Sequence, residues 1–299
     1  LIPPRTLAEI VMLAAVWGAS FPIIRSIVPE FGVFALTFLR CAIGAAALAF
    51  WMLARGNPMP HAAQAKWITW IGMIGNAIPF ALFAWATLQL SASYSSVINA
   101  LVPVMGAVLA AFMLHERLTL RRSSGVLLGL AGVALLVGAG PIALSPTVLL
   151  AALAAVVACF GFSYSQMLTK RYASHISATQ LTLGMLVVSA VALMPFAAAA
   201  WPAQMPSAKS WLLLAVLAIS NSAFATTRFM ALVVSIGPVR AQTVPLLIPV
   251  FGLGWSAAVL AEPLTPLFLA GAAIVMVAVW LVALEKRSAV RSAVNSTTV

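Results

Sequence analysis

The sequence predicts an all-α integral membrane protein, with ten transmembrane helices arranged as two inverted five-helix repeats around a central cavity. Three observations predict it. The 299 residues are 64% hydrophobic and 7% charged, with a mean hydropathy of +1.11, far more apolar than a water-soluble domain. The apolar residues fall in runs of roughly 20, the length of a helix that crosses a ~30 Å hydrocarbon core. The stretch PVMGAVLAAFMLHERLT, Pro103 to Thr119, returns 146 residues later as PVFGLGWSAAVLAEPLT, Pro249 to Thr265. Strands of a membrane barrel alternate apolar and polar residues over about ten positions. The runs here are continuous, which excludes a barrel.

Spans are expected at residues 7–27, 33–53, 67–89, 93–114, 121–140, 148–168, 178–199, 211–234, 239–261 and 266–284. The first is too long for a cleaved leader and lacks a small-residue cleavage site. Turn chemistry at 29–32 (PEFG), 140–146 (GPIALSP) and 235–238 (SIGP) separates neighbouring spans. Lysine and arginine set the expected orientation. With the N-terminus inside, the inner loops and tails hold Arg5, Arg55, Lys66, Arg117, Arg121, Arg122, Lys170, Arg171, Lys286, Arg287 and Arg291, and the outer loops hold only Lys209. Short cytoplasmic loops are the cation-rich ones, so both termini are expected in the cytoplasm, with the chain in a cell inner membrane. This distribution accounts for most of the net charge of +11 with no nucleic acid as partner. Cys41 and Cys159 fall inside apolar runs and are expected as small buried hydrophobes, not as a disulfide.

The self-similarity extends past the opening stretch. Gly125 and Gly271 keep the same offset, Trp67 answers Trp211, and Trp17-Gly18-Ala19-Ser20-Phe21 resembles Phe160-Gly161-Phe162-Ser163-Tyr164. Two units follow, residues 1–143 and 144–288, with a cytoplasmic tail at 289–299. Five is odd, so the second unit enters the membrane from the opposite side. Inverted repeats build transporters whose substrate site lies near the midplane between the halves.

Two five-helix halves, the W-G-x-x-F run at Trp17 to Phe21, and the glutamate element ending spans 4 and 9 resemble the drug/metabolite transporter superfamily. The resemblance covers essentially the whole chain and is strongest to the EamA-type ten-helix exporters. Within them the chain is similar to YddG-type aromatic amino-acid exporters. The first-half element reads HERLT, without the usual glycine before the glutamate. The resemblance implies alternating-access export of small metabolites, amino acids with aromatic or other apolar side chains above all. A carrier of anionic or phosphorylated metabolites is the rival within the superfamily. That chemistry wants clustered cations, and the arginines here are scattered.

Polar residues at membrane depth are the candidate site. Asn76 shares a helical face with Pro79, Phe80 and Phe83, and Asn221 occupies a nearly equivalent place in span 8 with Phe224 and Arg228 on its face. Amides suit a zwitterion and the phenylalanines suit an apolar side chain. Hydrogen bonding between helices is the other reading of the two asparagines. Trp17 and Ser20, with their counterparts Ser163 and Tyr164, line the path or pack the core. Tyr94, Asn99 and Gln242 lie toward the mouths. Pro79, Pro103, Pro245 and Pro249 lie well inside spans, as static kinks or as bends with freed carbonyls facing a cavity. Arg25 and Arg228 are near span ends and are expected to snorkel. Arg40 lies deeper and either binds a carboxylate or phosphate or bonds backbone carbonyls.

Glu116 and Glu262 are expected to be structural caps. Each ends a helix, at the unfavourable end of its dipole, and the following helix opens at once with Thr119 or Thr265 as its N-cap. Each carboxylate is expected to reach the N–H groups of that following helix. Spans 5 and 10, with Gly125-x-x-x-Gly129 and Trp280, are packing or dimer helices, and the protein is expected as a monomer with a dimer as the alternative. The chain has no aspartate, and glutamates 9, 30, 116, 262 and 285 all lie away from the midplane. Facilitated transport is therefore expected over ion coupling. No H-E-x-x-H, P-loop or metal-ligand spacing is present, so no enzyme, metal or cofactor is expected. The expected partners are a small-molecule substrate and the lipid bilayer.

Overall fold

The computed structural model describes residues 4–113, 119–139, 145–237, 241 and 243–283. Among them, regular structure is helical throughout. The helices are α1 (Pro4–Phe31), α2 (Val33–Ala54), α3 (Ala62–Gln89), α4 (Ala92–Met113), α5 (Leu120–Ala139), α6 (Pro146–Tyr172), α7 (Ala178–Ala199), α8 (Ala208–Ile236), α9 (Thr243–Leu260) and α10 (Pro266–Ala283). All except α5 and α10, eight in number, are long and apolar enough to cross a membrane. Large side chains such as Phe50, Leu127, Val191 and Val259 point outward, more than 60% exposed. An apolar outer surface of this extent meets lipid, and the chain is a multi-pass membrane protein.

Each expected span meets one helix, and the differences lie at breaks and ends. Pro29 to Phe31 were expected in a turn but continue α1. Gly32 alone makes the corner, at φ 72°, a conformation that glycine adopts without strain. Three breaks fall inside spans. The α3 ladder widens into a π-helix at Met73–Ala77 immediately before Pro79. Proline has no N–H to give and crowds the carbonyl one turn back, and a π-bulge relieves both. A second π stretch, Leu217–Ala225, occupies the corresponding part of α8, and there the Thr226 hydroxyl donates to the Asn221 carbonyl at 3.3 Å. The third break divides α4 after Asn99, and the helix resumes at Val102. Pro103 is thus not deep inside a helix as expected; it is the second residue of a new one, where no N–H is missed. Pro249 does lie inside α9.

The packing order is specific. α1 lies on α9 and α4 on α6; α3 packs on α6 and α1 on α8; α2 packs on α8 and α3 on α7. α2 also packs on α7, and α5 on α10. Glycines set the closest crossings. A Cβ on Gly18 would stand 2.7 Å from the Phe251 Cβ, and one on Gly161 2.7 Å from the Ile74 carbonyl oxygen, in the turn preceding Pro79. Gly125 and Gly132 of α5 face Ala278, Val282 and Val275 of α10, so the glycine seam expected for packing or dimerisation is filled within the chain. Gly161→Ala is expected to destabilise the fold by about 1–3 kcal/mol, because a main-chain carbonyl cannot turn aside as a side chain can. Thermal unfolding in detergent measures this, and an unchanged midpoint would show that the α3–α6 contact yields.

The glutamate caps need one correction. Glu262 does not reach the helix that follows it. Its two carboxylate oxygens accept the Ala92 and Ser93 amides at 2.8 and 2.9 Å, at the start of α4. α10 already has its cap, since the Thr265 hydroxyl accepts from the Phe268 amide at 3.2 Å. Ala261, at φ 50°, turns the backbone in the connection before Glu262. Glu30 does the same at the start of α8, accepting from the Ser207 amide at 2.6 Å and the Ser210 hydroxyl at 2.7 Å. Glu116 lies outside the described residues; Thr119 directly precedes α5. The aromatic ends pair as well: Trp67 stacks on Tyr172 at 3.9 Å, and Trp211 meets Phe31 edge-on at 5.0 Å. The first pair joins the start of α3 to the end of α6, the second the start of α8 to the end of α1.

Candidate substrate cavity

A cavity of about 100 Å³ lies between the helices, walled by α1, α2, α3, α4, α6, α8 and α9. A single water needs roughly 10–15 Å³ on this measure, so there is room for a small metabolite's worth of atoms. Seven residues singled out by the sequence line it: Trp17, Ser20, Asn76, Phe80, Phe83, Asn99 and Asn221, with Pro245 beside them. Both asparagines belong to π stretches. A widened turn displaces backbone and side chains from α-helical positions and recurs at functional sites. Here it presents Asn76, 3% exposed, and Asn221, 2% exposed, to one space.

The two amides are held differently. Asn221 is held at both ends: its Oδ1 accepts from Arg40 at 2.6 Å and its Nδ2 donates to the Val16 carbonyl at 3.1 Å, which leaves one lone pair and one N–H for a further partner. The Asn76 Nδ2 is buried and has no hydrogen-bond partner among the described residues. Aromatic rings form the apolar wall. Trp17 meets Phe229 edge-on at 4.7 Å, Phe83 stacks on Phe162 at 5.9 Å, and Phe21 meets Phe83 edge-on at 5.8 Å.

Several expected residues are elsewhere. Phe224 is 47% exposed and faces outward, because the π stretch enlarges the turn and carries position i+3 off the Asn221 face. Ser163 is buried and donates to the Val102 carbonyl at 2.5 Å, while the Cys159 thiol reaches the Ile98 carbonyl at 3.4 Å. Both reach carbonyls flanking the break in α4, a packing role. Tyr94 packs on Phe268, with ring centres 4.8 Å apart, and Tyr164 stacks on Phe160; neither lines the cavity. Gln242 lies outside the described residues. Arg25 caps the end of α3, donating to the Thr87 and Leu88 carbonyls at 2.6 and 2.8 Å, and Arg228 pairs with Glu9 at 2.7 Å; neither simply snorkels.

Sequence reasoning overlooked Ser165, Gln166, Thr226 and Phe229, and undervalued Arg40, all of which line the cavity. Gln166 is a polar residue inside an apolar run, the same signal that marked Asn76. Arg40 bonds side chains where backbone carbonyls were one expectation. Its Nε donates to the Ser222 hydroxyl at 2.6 Å, and its guanidinium lies 3.9 Å over the Phe80 ring. No group of three or more His, Cys, Asp or Glu side chains gathers to hold a metal among the described residues.

A multi-pass helical protein with a polar-and-aromatic cavity of this kind has the architecture a membrane transporter needs, and comparison with known proteins gives the family. The EamA-like transporter family model matches residues 7–138 and again 149–284. The chain belongs to that family, within the drug/metabolite transporter superfamily. It is similar to a probable terminal-alkyne amino-acid exporter of Streptantibioticus cattleyicolor, 29% identical over 131 residues, 44% of each chain. It also resembles a WAT1-related chloroplastic protein of Arabidopsis thaliana, 31% identical over 121 residues, 40% of this chain and 29% of that one. The chain thus aligns with less than half the length of either relative. A solved crystal structure superposes with a TM-score of 0.67 at 21% identity, covering 93% of this chain and 96% of the other, which shows a shared fold.

Proposed function

We propose that this protein is an alternating-access carrier that exports small metabolites, amino acids with aromatic or other apolar side chains above all, across a cell inner membrane, with both termini in the cytoplasm. Ten spans form its two inverted halves, residues 1–143 and 144–288, and the cavity between them is the transport site. The observation that carries the reading is the placing of Asn76 and Asn221. They hold nearly equivalent positions in the two halves, each within a π stretch, and both line one cavity. The packing supports the inversion. If α1 to α5 correspond to α6 to α10, the pair α1–α9 maps onto α6–α4, α3–α6 onto α8–α1, and α2–α8 onto α7–α3; all of these pairs are in contact. The two aromatic end pairs map onto each other in the same way. Two family matches, one per half, agree with this division.

Substrate would be held by Asn76, Asn99 and Asn221 at its polar end and by Trp17, Phe80 and Phe83 along its apolar body, with Ser20 completing the wall. Pro79, Pro245 and Pro249 would shape the bends beside it. The described glutamates are each tied to a helix start or an arginine, so transport down the substrate's own gradient is favoured over proton coupling. The protein would work as a monomer. In proteoliposomes, uptake of labelled leucine or phenylalanine is expected to saturate and to proceed without an imposed pH gradient. A strict need for that gradient would overturn the facilitator reading, and non-saturating flux would overturn the carrier.

A further inference from the structure

We propose that Arg40 anchors a substrate carboxylate and that the substrate's amino group is dispensable, so the cavity selects apolar monocarboxylates whether or not they carry an amine. This rests on the reading of the cavity as the transport site.

Arg40 is 6% exposed and stands on the cavity wall. Burying a cation is costly without a counter-charge, and none is supplied by the described residues. The chain has no aspartate. Glu9 is paired with Arg228, while Glu30 and Glu262 cap α8 and α4. The two partners Arg40 does have, Asn221 Oδ1 and Ser222 Oγ, are neutral. They orient the guanidinium without neutralising it, and the Phe80 ring covers one of its faces. Two of its five N–H donors are used among the described residues, and three remain.

A second group points the same way. The Asn76 Nδ2 is a buried donor on this wall with no partner. An ionised carboxylate only accepts, at about four lone-pair sites, so it can take donors from both Arg40 and Asn76. The rings of Phe83, Phe162 and Phe229 then receive the apolar body. Among the described residues an ammonium finds no carboxylate on this wall, only neutral oxygens and ring faces, so the amine adds little discrimination. A doubly charged phosphate would be left half neutralised by one guanidinium.

The test is a ligand series on one skeleton, read as binding to the purified full chain in detergent: phenylalanine, 3-phenylpropanoate, phenylalaninamide, 2-phenylethylamine and phenyl phosphate. Phenylalanine and 3-phenylpropanoate are expected to bind within about threefold of each other, and the amide, the amine and the phosphate about tenfold or more weakly. Arg40→Gln is expected to erase the preference for the acids, and Arg40→Lys to retain part of it. The proposal fails if the amide or amine binds as well as the acid, if the phosphate binds more tightly, or if a cooperatively melting Arg40→Gln keeps the preference. Should Arg40→Gln not fold, the series on the unaltered protein decides. Flux in proteoliposomes separates the two readings. Acid-selective binding without saturable flux would keep the anchor and discard the transporter; saturable flux that favours amines would do the reverse.

Discussion

Asn76→Leu is expected to leave the unfolding temperature of the purified protein unchanged or to raise it, while substrate flux falls about tenfold or more; Asn221→Leu is expected to lower both. The two asparagines hold nearly equivalent positions, so depth and neighbourhood alone predict similar effects. Their hydrogen bonds do not. Asn221 joins a buried guanidinium to the Val16 carbonyl. Losing a bond to a charged group and one to a neutral carbonyl costs about 2–4 kcal/mol together. Asn76 has a buried donor with nothing to bond. Replacing it with an apolar group of similar size removes a penalty of about 1–3 kcal/mol, so stability does not suffer. A group that weakens the resting protein and yet is needed for flux is one whose partner arrives from solution. Thermal melts in detergent and initial rates in proteoliposomes measure the two quantities. If Asn76→Leu lost as much stability as Asn221→Leu, Asn76 would be a packing residue and the cavity would lose half its paired amide.

How much of this was legible in the sequence depends on the range over which each feature is decided. Helix positions follow from apolar runs, a local property, and the sequence places them well. Asn76, Phe80 and Phe83 were found because their face is set within two turns, and the π stretch ends at Ala77, before the phenylalanines. Phe224 was misplaced because its π stretch runs on through Ala225, and nothing in the local sequence marks that stretch as proline marks the first. Ser163 carries a lining signal in the sequence, yet its hydroxyl answers a carbonyl at a break in another helix. Gln166 carried the same polar-at-depth signal three residues on and was passed over for the repeat match beside it. Glu262 accepts from the start of α4 and not of α10, and its partners Ala92 and Ser93 lie about 170 residues earlier. Sequence spacing favours the nearest helix start; folding chose the one across the bundle.

That distant cap makes Glu262→Ala a destabilising change, expected to cost about 2–3 kcal/mol, with Glu262→Gln between it and the unaltered protein. Two amides of the first turn of α4 end on this one carboxylate, and those amides have no partner within their own helix. Bonds from N–H groups to an ionised acceptor are the stronger kind, and the positive end of the helix dipole adds to them. A glutamine oxygen keeps part of the bonding and loses the charge. The consequence reaches beyond one helix end, because the contact ties α9 to α4. Glu30 ties α1 to α8 on the same face of the bundle, so both contacts join residues 1–143 to residues 144–288. If the halves rock, these two contacts must loosen for that face to open. Glu262→Ala is therefore expected to lower the melting temperature and to increase labelling of a cysteine placed at Ser93 by a membrane-impermeant thiol reagent, without altering the pH dependence of flux. A stable variant in which flux had lost its pH dependence would instead make Glu262 a proton-coupling group and end its reading as a clamp.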